Sequence, residues 1–171
     1  MDNDITLIDD TADGVVNFLS NVRPFDELPL IERVALAERL KTISAGPGEI
    51  IVELGERDER LYLLRRGAID VHDADGALYA RRHEGESFGF VSLVKNKPAT
   101  YRITAFEDSL FYELPASEFY RLCEAYGIVH DYYLLAEAQR LHVALERSRP
   151  NASSIRPLIA WQSLPGVGRG H

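Results

Sequence analysis

The sequence predicts an α+β fold, in which short β-strands lie between two helical segments. Three observations predict it: apolar residues at helical spacing up to Lys41, short β-prone runs up to Leu114, and helical spacing again after Pro115. Short strands at this spacing are typical of a sandwich or a barrel. With 171 residues, the chain is long enough for one self-sufficient hydrophobic core with short appendages.

The composition narrows the classes of function. A net charge of −8 disfavours non-specific nucleic-acid binding, which needs Lys and Arg to neutralise phosphates. No run approaches the about 18 apolar residues of a membrane span, and residues 1–13 lack the basic start of a signal peptide. Cys123 stands alone, so no intramolecular disulfide is available. We therefore expect a cytoplasmic protein without a membrane or nucleic-acid partner.

The N-terminal part predicts an acidic tail and two helices. Residues 1–11 form the tail, and a helix begins near Ala12. Pro29 suits the start of the second helix, because its missing N–H is not needed there. The apolar residues of that second helix recur at helical spacing: Leu30, Ile31, Val34, Leu36, Ala37 and Leu40.

The middle of the chain predicts short strands separated by turns. Asp75-Gly76 lies between two β-prone runs, which is a strong hairpin signal. A second hairpin is predicted around Glu107-Asp108. The predicted strands are 49–54, 61–64, 68–72, 77–81, 101–106 and 109–114.

Two helices are predicted after the strands. The first begins at Pro115, with Phe119, Leu122 and Cys123 facing inward. The second covers about 128–147 and carries one apolar stripe: Leu134, Ala138, Leu141 and Leu145. Residues 12–147 are thus the expected domain. Residues 148–171 are interpreted as a linker-like tail or the start of a missing module.

Residues 85–105, here called the cassette, carry the most informative motif. Gly-Glu-Ser-Phe-Gly-Phe-Val-Ser-Leu from Gly85, followed by Pro-Ala-Thr from Pro98, resembles the phosphate-binding cassette of cyclic-nucleotide-binding domains. Pro47-Gly48 and the Gly55-Glu56…Asp58…Tyr62…Gly67 run resemble further landmarks of that family. The resemblance covers about 18–145. It implies a β jelly-roll (double-stranded β-helix) flanked by N-terminal helices and a C-terminal helix pair.

The resemblance also implies a site, and the chain departs from it at two positions. The family carries a Glu for the ribose hydroxyl and an Arg for the cyclic phosphate, where this chain has Phe90 and Ala99. Losing both contacts would weaken cyclic-nucleotide binding by roughly 100-fold or more. An aromatic wall at Phe90 favours an apolar or stacked ligand, or none. The implied ligand-binding residues are Phe88, Gly89, Phe90, Val91, Ser92, Leu93, Ala99 and Thr100.

An anion site could survive without those two side chains. A short helix opened by Gly89 would present backbone N–H groups, and Ser92 and Thr100 could each add a hydroxyl. The alternative is that both hydroxyls satisfy only local backbone groups. Arg102 follows Ala99 by three residues, so on a regular strand it points to the opposite face. Lys95 and Lys97 are the nearer candidates for a compensating charge.

No catalytic or metal-binding pattern stands out. The five histidines, at 72, 83, 130, 142 and 171, do not pair at a metal-ligand spacing. Neither a P-loop nor a Gly-x-Ser-x-Gly elbow is present, and no cofactor is expected. Cys123 is interpreted as a structural thiol. These observations disfavour an enzyme.

Two functions therefore remain open. The first is a regulatory sensor that binds cyclic AMP or another nucleotide at the cassette, and the second is a structural or dimerisation module with a degenerate pocket. The 128–147 helix would pair with its twin in a homodimer. The Phe-Gly-Phe run at Phe88 resembles sensor domains of bacterial signalling proteins, which implies downstream CBS or nucleotidyltransferase domains absent from this chain. A transcription regulator is disfavoured, since no helix-turn-helix pattern follows residue 147.

Overall fold

The computed structural model describes residues 11–148, with side chains described for 11–139 and 146. Apart from Thr11 and Ser148, the predicted tails 1–11 and 148–171 lie outside the described residues. The chain divides into two compact units between Leu135 and Ala136. The packing described below concerns the first unit.

Two helices precede the strands, as the sequence predicts. Helix α1 covers Ala12–Leu19, and the Thr11 side chain accepts a hydrogen bond from the Gly14 N–H at 3.2 Å. A short 3-10 turn at Phe25–Glu27 leads to helix α2, Leu30–Arg39, which begins directly after Pro29. The apolar residues of α2 differ in exposure, since Leu36 is buried whereas Leu30, Ile31 and Val34 are exposed.

The strands form two four-stranded antiparallel sheets. Their orders are β1-β8-β3-β6 and β2-β7-β4-β5. Strands β1 and β6 are not among the predicted runs, because β1 follows α2 without a breaker and β6 has only two residues. The strands are β1 Lys41–Ala45, β2 Ile50–Val52, β3 Arg60–Arg66, β4 Ile69–His72, β5 Leu78–Arg82, β6 Ser87–Phe88, β7 Arg102–Ala105 and β8 Ser109–Pro115.

One predicted hairpin is confirmed and the other is wrong. Strands β4 and β5 pair across the turn at Gly76. Strands β7 and β8 do not pair, because β7 lies between β2 and β4, whereas β8 lies between β1 and β3. The turn between them passes from one sheet to the other. It is held there by Ala68, whose carbonyl accepts from the Phe106 N–H at 2.9 Å and from the Ser109 hydroxyl at 3.1 Å.

The core lies between the two sheets, and its aromatic part supports the cassette. The rings of Tyr62 and Phe88 are stacked at 4.9 Å, and Phe111 contacts both edge-on at 5.5 Å. Such pairs add to the free energy gained by burial. The buried residues of this core are Ala45, Val52, Tyr62, Leu64, Ile69, Val71, Phe88, Ala99, Ile103, Ala105 and Phe111.

Two helices follow the strands. Helix α4 covers Ala116–Ala125, and its Phe119 and Leu122 are buried as predicted, with Cys123 partly exposed. Helix α5 covers Gly127–Ser148 and confirms the predicted 128–147 helix to within one residue at each end. No helix among the described residues is long and apolar enough to cross a membrane.

Candidate functional site

The cassette places a short helix directly after a left-handed glycine. Gly89 follows β6 with φ of 79°, and helix α3 then covers Phe90–Lys95. A Cβ at position 89 would lie 2.8 Å from Cδ2 of Tyr62, so only glycine fits both the backbone angle and the space. The short helix opened by Gly89 is therefore confirmed.

Phe90 lies in the protein interior. Its side chain is only 6% exposed, and its ring centroid is 5.4 Å from that of Tyr133 on α5. The ring is therefore not a wall that faces a ligand; the sequence left both a stacked ligand and no ligand open at this position. The reason is that α5 covers the start of α3, and burial against Tyr133 removes the ring from water.

Ala99 is buried as well. It is 7% exposed and belongs to the core between the sheets. Its N–H donates to the Glu56 carbonyl and its own carbonyl accepts from the Gly55 N–H, both at 2.8 Å. The two positions at which the sequence departs from the family pattern are thus both apolar and inside the protein.

The remaining predicted site residues divide into buried and accessible groups. Phe88 and Leu93 are buried, and the Leu93 carbonyl accepts a hydrogen bond from the Tyr120 hydroxyl at 2.8 Å. Val91 and Ser92 are half-buried, and Thr100 is exposed. Ser92 and Thr100 are therefore the accessible side-chain hydroxyls among the predicted site residues.

Arg102 does not supply the missing charge. Its Nε donates to Oε1 of Glu53 at 2.7 Å, and this hydrogen bond lowers the pKa of Glu53. This pairing agrees with the strand alternation, which places Arg102 and Ala99 on opposite faces. Lys95 and Lys97 are exposed at the far end of α3.

A cleft of about 230 Å³ opens beside the cassette. It lies between the loop before β3, the second half of α3 and the first turn of α4. No pattern in the sequence indicates this cleft, because its walls come from three segments that are distant along the chain. Its lining residues are Arg57, Asp58, Glu59, Ser92, Leu93, Asn96, Lys97, Ala116, Ser117 and Tyr120.

A polar network of three buried side chains and the half-exposed Arg60 supports the cleft and the cassette. The Tyr62 hydroxyl donates to Asp58, and Arg60 donates to both Asp58 and Glu113, at 3.0 and 2.9 Å. Burial raises the pKa of Asp58, although the hydrogen bond from Tyr62 opposes this effect. The network fixes the loop before β3 to the sheet. It also holds the Tyr62 ring under Gly89.

This network predicts a loss of stability at alkaline pH. Burial, together with the hydrogen bond to Asp58, raises the pKa of Tyr62 above its ordinary value of 10.0. Above that pH the unfolded chain releases a proton that the folded chain retains. The free energy of unfolding should then fall by up to about 1.4 kcal/mol per pH unit for this group.

The variant Tyr62→Phe checks this prediction. Denaturant unfolding should be measured between about pH 10 and pH 12. The free energy of unfolding should fall less steeply with pH for the variant than for the parent chain, and the difference in slope should correspond to about one proton. Equal slopes for the two proteins would contradict the assignment to Tyr62.

The described residues contain no group of three His, Cys, Asp or Glu that could hold a metal ion. At the cassette, the Ser92 side chain is half-buried and Thr100 is exposed, whereas Phe88 and Phe90 are occupied in packing.

Comparisons with known proteins identify the domain. Residues 42–126 match the family model of the cyclic nucleotide-binding domain. The chain is 26% identical over 113 residues to a cAMP-dependent protein kinase regulatory subunit of Dictyostelium discoideum, over 62% of this chain and 35% of the relative. It is 31% identical over 107 residues to the same kind of subunit of Colletotrichum orbiculare, over 62% and 27%.

A solved structure of cAMP-bound PfPKA-R agrees with the fold. It superposes with a TM-score of 0.74 at 26% identity, over 82% of this chain and 48% of that chain. The chain spans about a quarter to a third of the length of the two regulatory subunits from Dictyostelium discoideum and Colletotrichum orbiculare. Residues 42–126, which include the cassette, belong to the cyclic nucleotide-binding domain family.

Proposed function

We propose that this domain is a regulatory sensor whose cassette binds cyclic AMP or another nucleotide weakly. One observation carries the proposal. The chain keeps the backbone of the cassette, with the left-handed Gly89 and helix α3, but positions 90 and 99 offer no polar group. A ligand would meet the half-buried Ser92 hydroxyl and the exposed Thr100 hydroxyl, and it would reach the backbone N–H groups at the start of α3 only where α5 leaves them uncovered.

The expected affinity follows from the contacts that are missing. A hydrogen bond to a charged group contributes about 1.5–3 kcal/mol. Two absent contacts of this kind, Glu to ribose and Arg to phosphate, correspond to roughly 100-fold or more in affinity. Arg102 does not compensate, since it is paired with Glu53.

The output of the sensor would be a shift between two positions of the helices after the sandwich. A ligand changes such an equilibrium only if it binds one state more tightly than the other. A non-enzymatic role is proposed because the relatives that match this chain are regulatory subunits. CBS or nucleotidyltransferase domains are the output that the bacterial resemblance suggests.

Thermal unfolding with millimolar cyclic AMP, cyclic GMP, cyclic dinucleotides, ATP and AMP tests the sensor. A ligand at ten times its Kd adds about 1.4 kcal/mol, which raises Tm by roughly 3–6 °C for this size. A Ser92→Ala/Thr100→Val variant should show a smaller shift. No shift with any of these nucleotides would overturn the proposal.

A second function, dimerisation through the 128–147 helix, is favoured by one observation. Leu134 and Leu135 are 50% and 60% exposed on α5, and Ile128 is 46% exposed. Exposed apolar residues on one helix are typical of an interaction surface. Leu134 begins the predicted stripe, of which Leu141 and Leu145 lie outside the described side chains.

Substitution on α5 tests the dimer. If the helix pairs with its twin, Leu134→Glu should convert a dimer to a monomer in size-exclusion chromatography with light scattering. Leu78→Glu is the matched control, because Leu78 is also 50% exposed but lies on β5. A parent chain that is monomeric at high concentration would contradict this function.

Four finer statements stay predictions. The strand orders support a jelly roll of two Greek keys. We propose that the domain covers residues 12–147 and that the protein is located in the cytoplasm. The tail 148–171 is interpreted as a linker or the start of a further module.

A further inference from the structure

The cleft beside α3 carries charged side chains that the cassette motif does not use. Three of its lining residues, Arg57, Glu59 and Lys97, are exposed and charged. None of the three forms a side-chain hydrogen bond or an ion pair with another residue whose side chain the structure describes. Two cations and one anion are therefore available to a molecule that enters the cleft.

The fourth charged residue of the lining, Asp58, already has its partners. Its side chain is 6% exposed, and its two oxygens accept hydrogen bonds from Arg60 and from the Tyr62 hydroxyl. The charge that remains for a ligand is then one positive unit, from two cations and one anion. The cleft thus attracts negative charge, although the whole chain carries a net charge of −8.

Tyr120 shows that charges of opposite sign lie around one part of the cleft. Its hydroxyl donates to the Leu93 carbonyl at 2.8 Å, which joins α4 to α3. Burial raises the pKa of Tyr120, the negative charge of Glu59 adds to this effect, and the positive charge of Arg57 opposes it. The loop that carries both charges is fixed to α4, because the Glu59 carbonyl accepts from the Ala116 N–H at 2.8 Å. A ligand beside Tyr120 would therefore meet both charges.

The size of the cleft restricts it to a small molecule. Its volume of about 230 Å³ is below the roughly 300–1,000 Å³ of pockets that take drug-sized ligands. Its neutral polar side chains, Ser92, Asn96 and Ser117, can donate hydrogen bonds to carboxylate oxygens. A small molecule whose charges mirror those of the cleft has two anionic groups and one cationic group. An acidic α-amino acid has this arrangement.

We propose that the cleft binds an acidic amino acid such as glutamate, at a site separate from the nucleotide surface at Thr100. The two carboxylates pair with Arg57 and Lys97, and the ammonium group pairs with Glu59. A Kd of about 1 mM is expected for so small a ligand. The inference goes beyond the proposed function, and its test uses no nucleotide, so either can fail while the other stands.

An NMR titration of the full chain with glutamate, at constant pH and ionic strength, tests the site. Saturable changes in amide chemical shifts are expected at 57–59, 92–97 and 116–120. Glutarate has the same two carboxylates without the ammonium group, so it should bind about 2- to 5-fold more weakly than glutamate. Glu59→Gln should abolish this difference, and Lys97→Gln should weaken the binding of both ligands by about the same factor.

Lys95→Gln is the matched control, because Lys95 is exposed at the end of α3 but does not line the cleft. It should leave both affinities unchanged. The three substituted residues are exposed, so each variant should fold, and its amide spectrum checks this. Three results would overturn the proposal: chemical shifts that do not saturate, glutarate binding as tight as that of glutamate in the parent chain, or equal effects of Lys95→Gln and Lys97→Gln.

Discussion

Replacement of Gly89 by alanine is expected to lower the free energy of unfolding by about 2–6 kcal/mol. A non-glycine residue in the left-handed region costs on the order of 1–3 kcal/mol. The new Cβ would also lie 2.8 Å from the Tyr62 ring. That ring has no room to move, because it is stacked on Phe88 and its hydroxyl is bonded to Asp58. Overpacking of this kind adds about 1–3 kcal/mol.

Gly55→Ala separates the two causes. Gly55 has φ of 78°, and a Cβ there would meet nothing within 4 Å. The control should therefore show the backbone cost alone, so Gly89→Ala should exceed it by at least about 1 kcal/mol in denaturant unfolding. Combination of Gly89→Ala with Tyr62→Leu should remove most of this excess. Equal losses for Gly55→Ala and Gly89→Ala would show that the Tyr62 contact has no effect.

The second large effect is expected in ligand affinity. Ala99→Arg should tighten cyclic AMP binding by about 10-fold or more, because a guanidinium can form charge-assisted hydrogen bonds with the cyclic phosphate. Addition of Phe90→Glu should give a smaller further gain, because the side chain at position 90 lies against Tyr133 and must turn outward to reach a ribose. Without ligand, Phe90→Glu should lower Tm, since the new carboxylate replaces a ring that rests on Tyr133.

Matched apolar variants distinguish charge from shape. Ala99→Met has a long side chain without charge, and Phe90→Leu keeps an apolar residue against Tyr133. Neither should gain affinity in calorimetric titration, and thermal unfolding without ligand checks that each variant is folded. A gain of the same size in Ala99→Met would contradict the role given to the phosphate contact.

The sequence was informative where the cause of structure is local. The short helix after Gly89 follows from the glycine and from the motif spacing. The bounds of α5 follow from the apolar stripe and the loss of pattern after residue 147. These features depend on residues that are close together along the chain, which a single sequence can show.

The features that the sequence missed depend on distant partners. The residues of β7 and β8 are adjacent along the chain, but each pairs with strands far away, so the hairpin pattern gave a wrong prediction. Phe90 turns inward because Tyr133, more than 40 residues later, covers it. The cleft beside α3 and the partners of Arg60 likewise require the three-dimensional arrangement.

We propose that the cassette keeps its backbone but lacks the two side chains that make cyclic-nucleotide binding tight. Equilibrium dialysis with radiolabelled cyclic AMP should compare the parent chain with Ala99→Arg. We expect a high-micromolar to millimolar Kd for the parent chain and tighter binding by the variant. A nanomolar Kd for the parent chain would contradict it, because backbone groups and two hydroxyls would then suffice without the missing Glu and Arg.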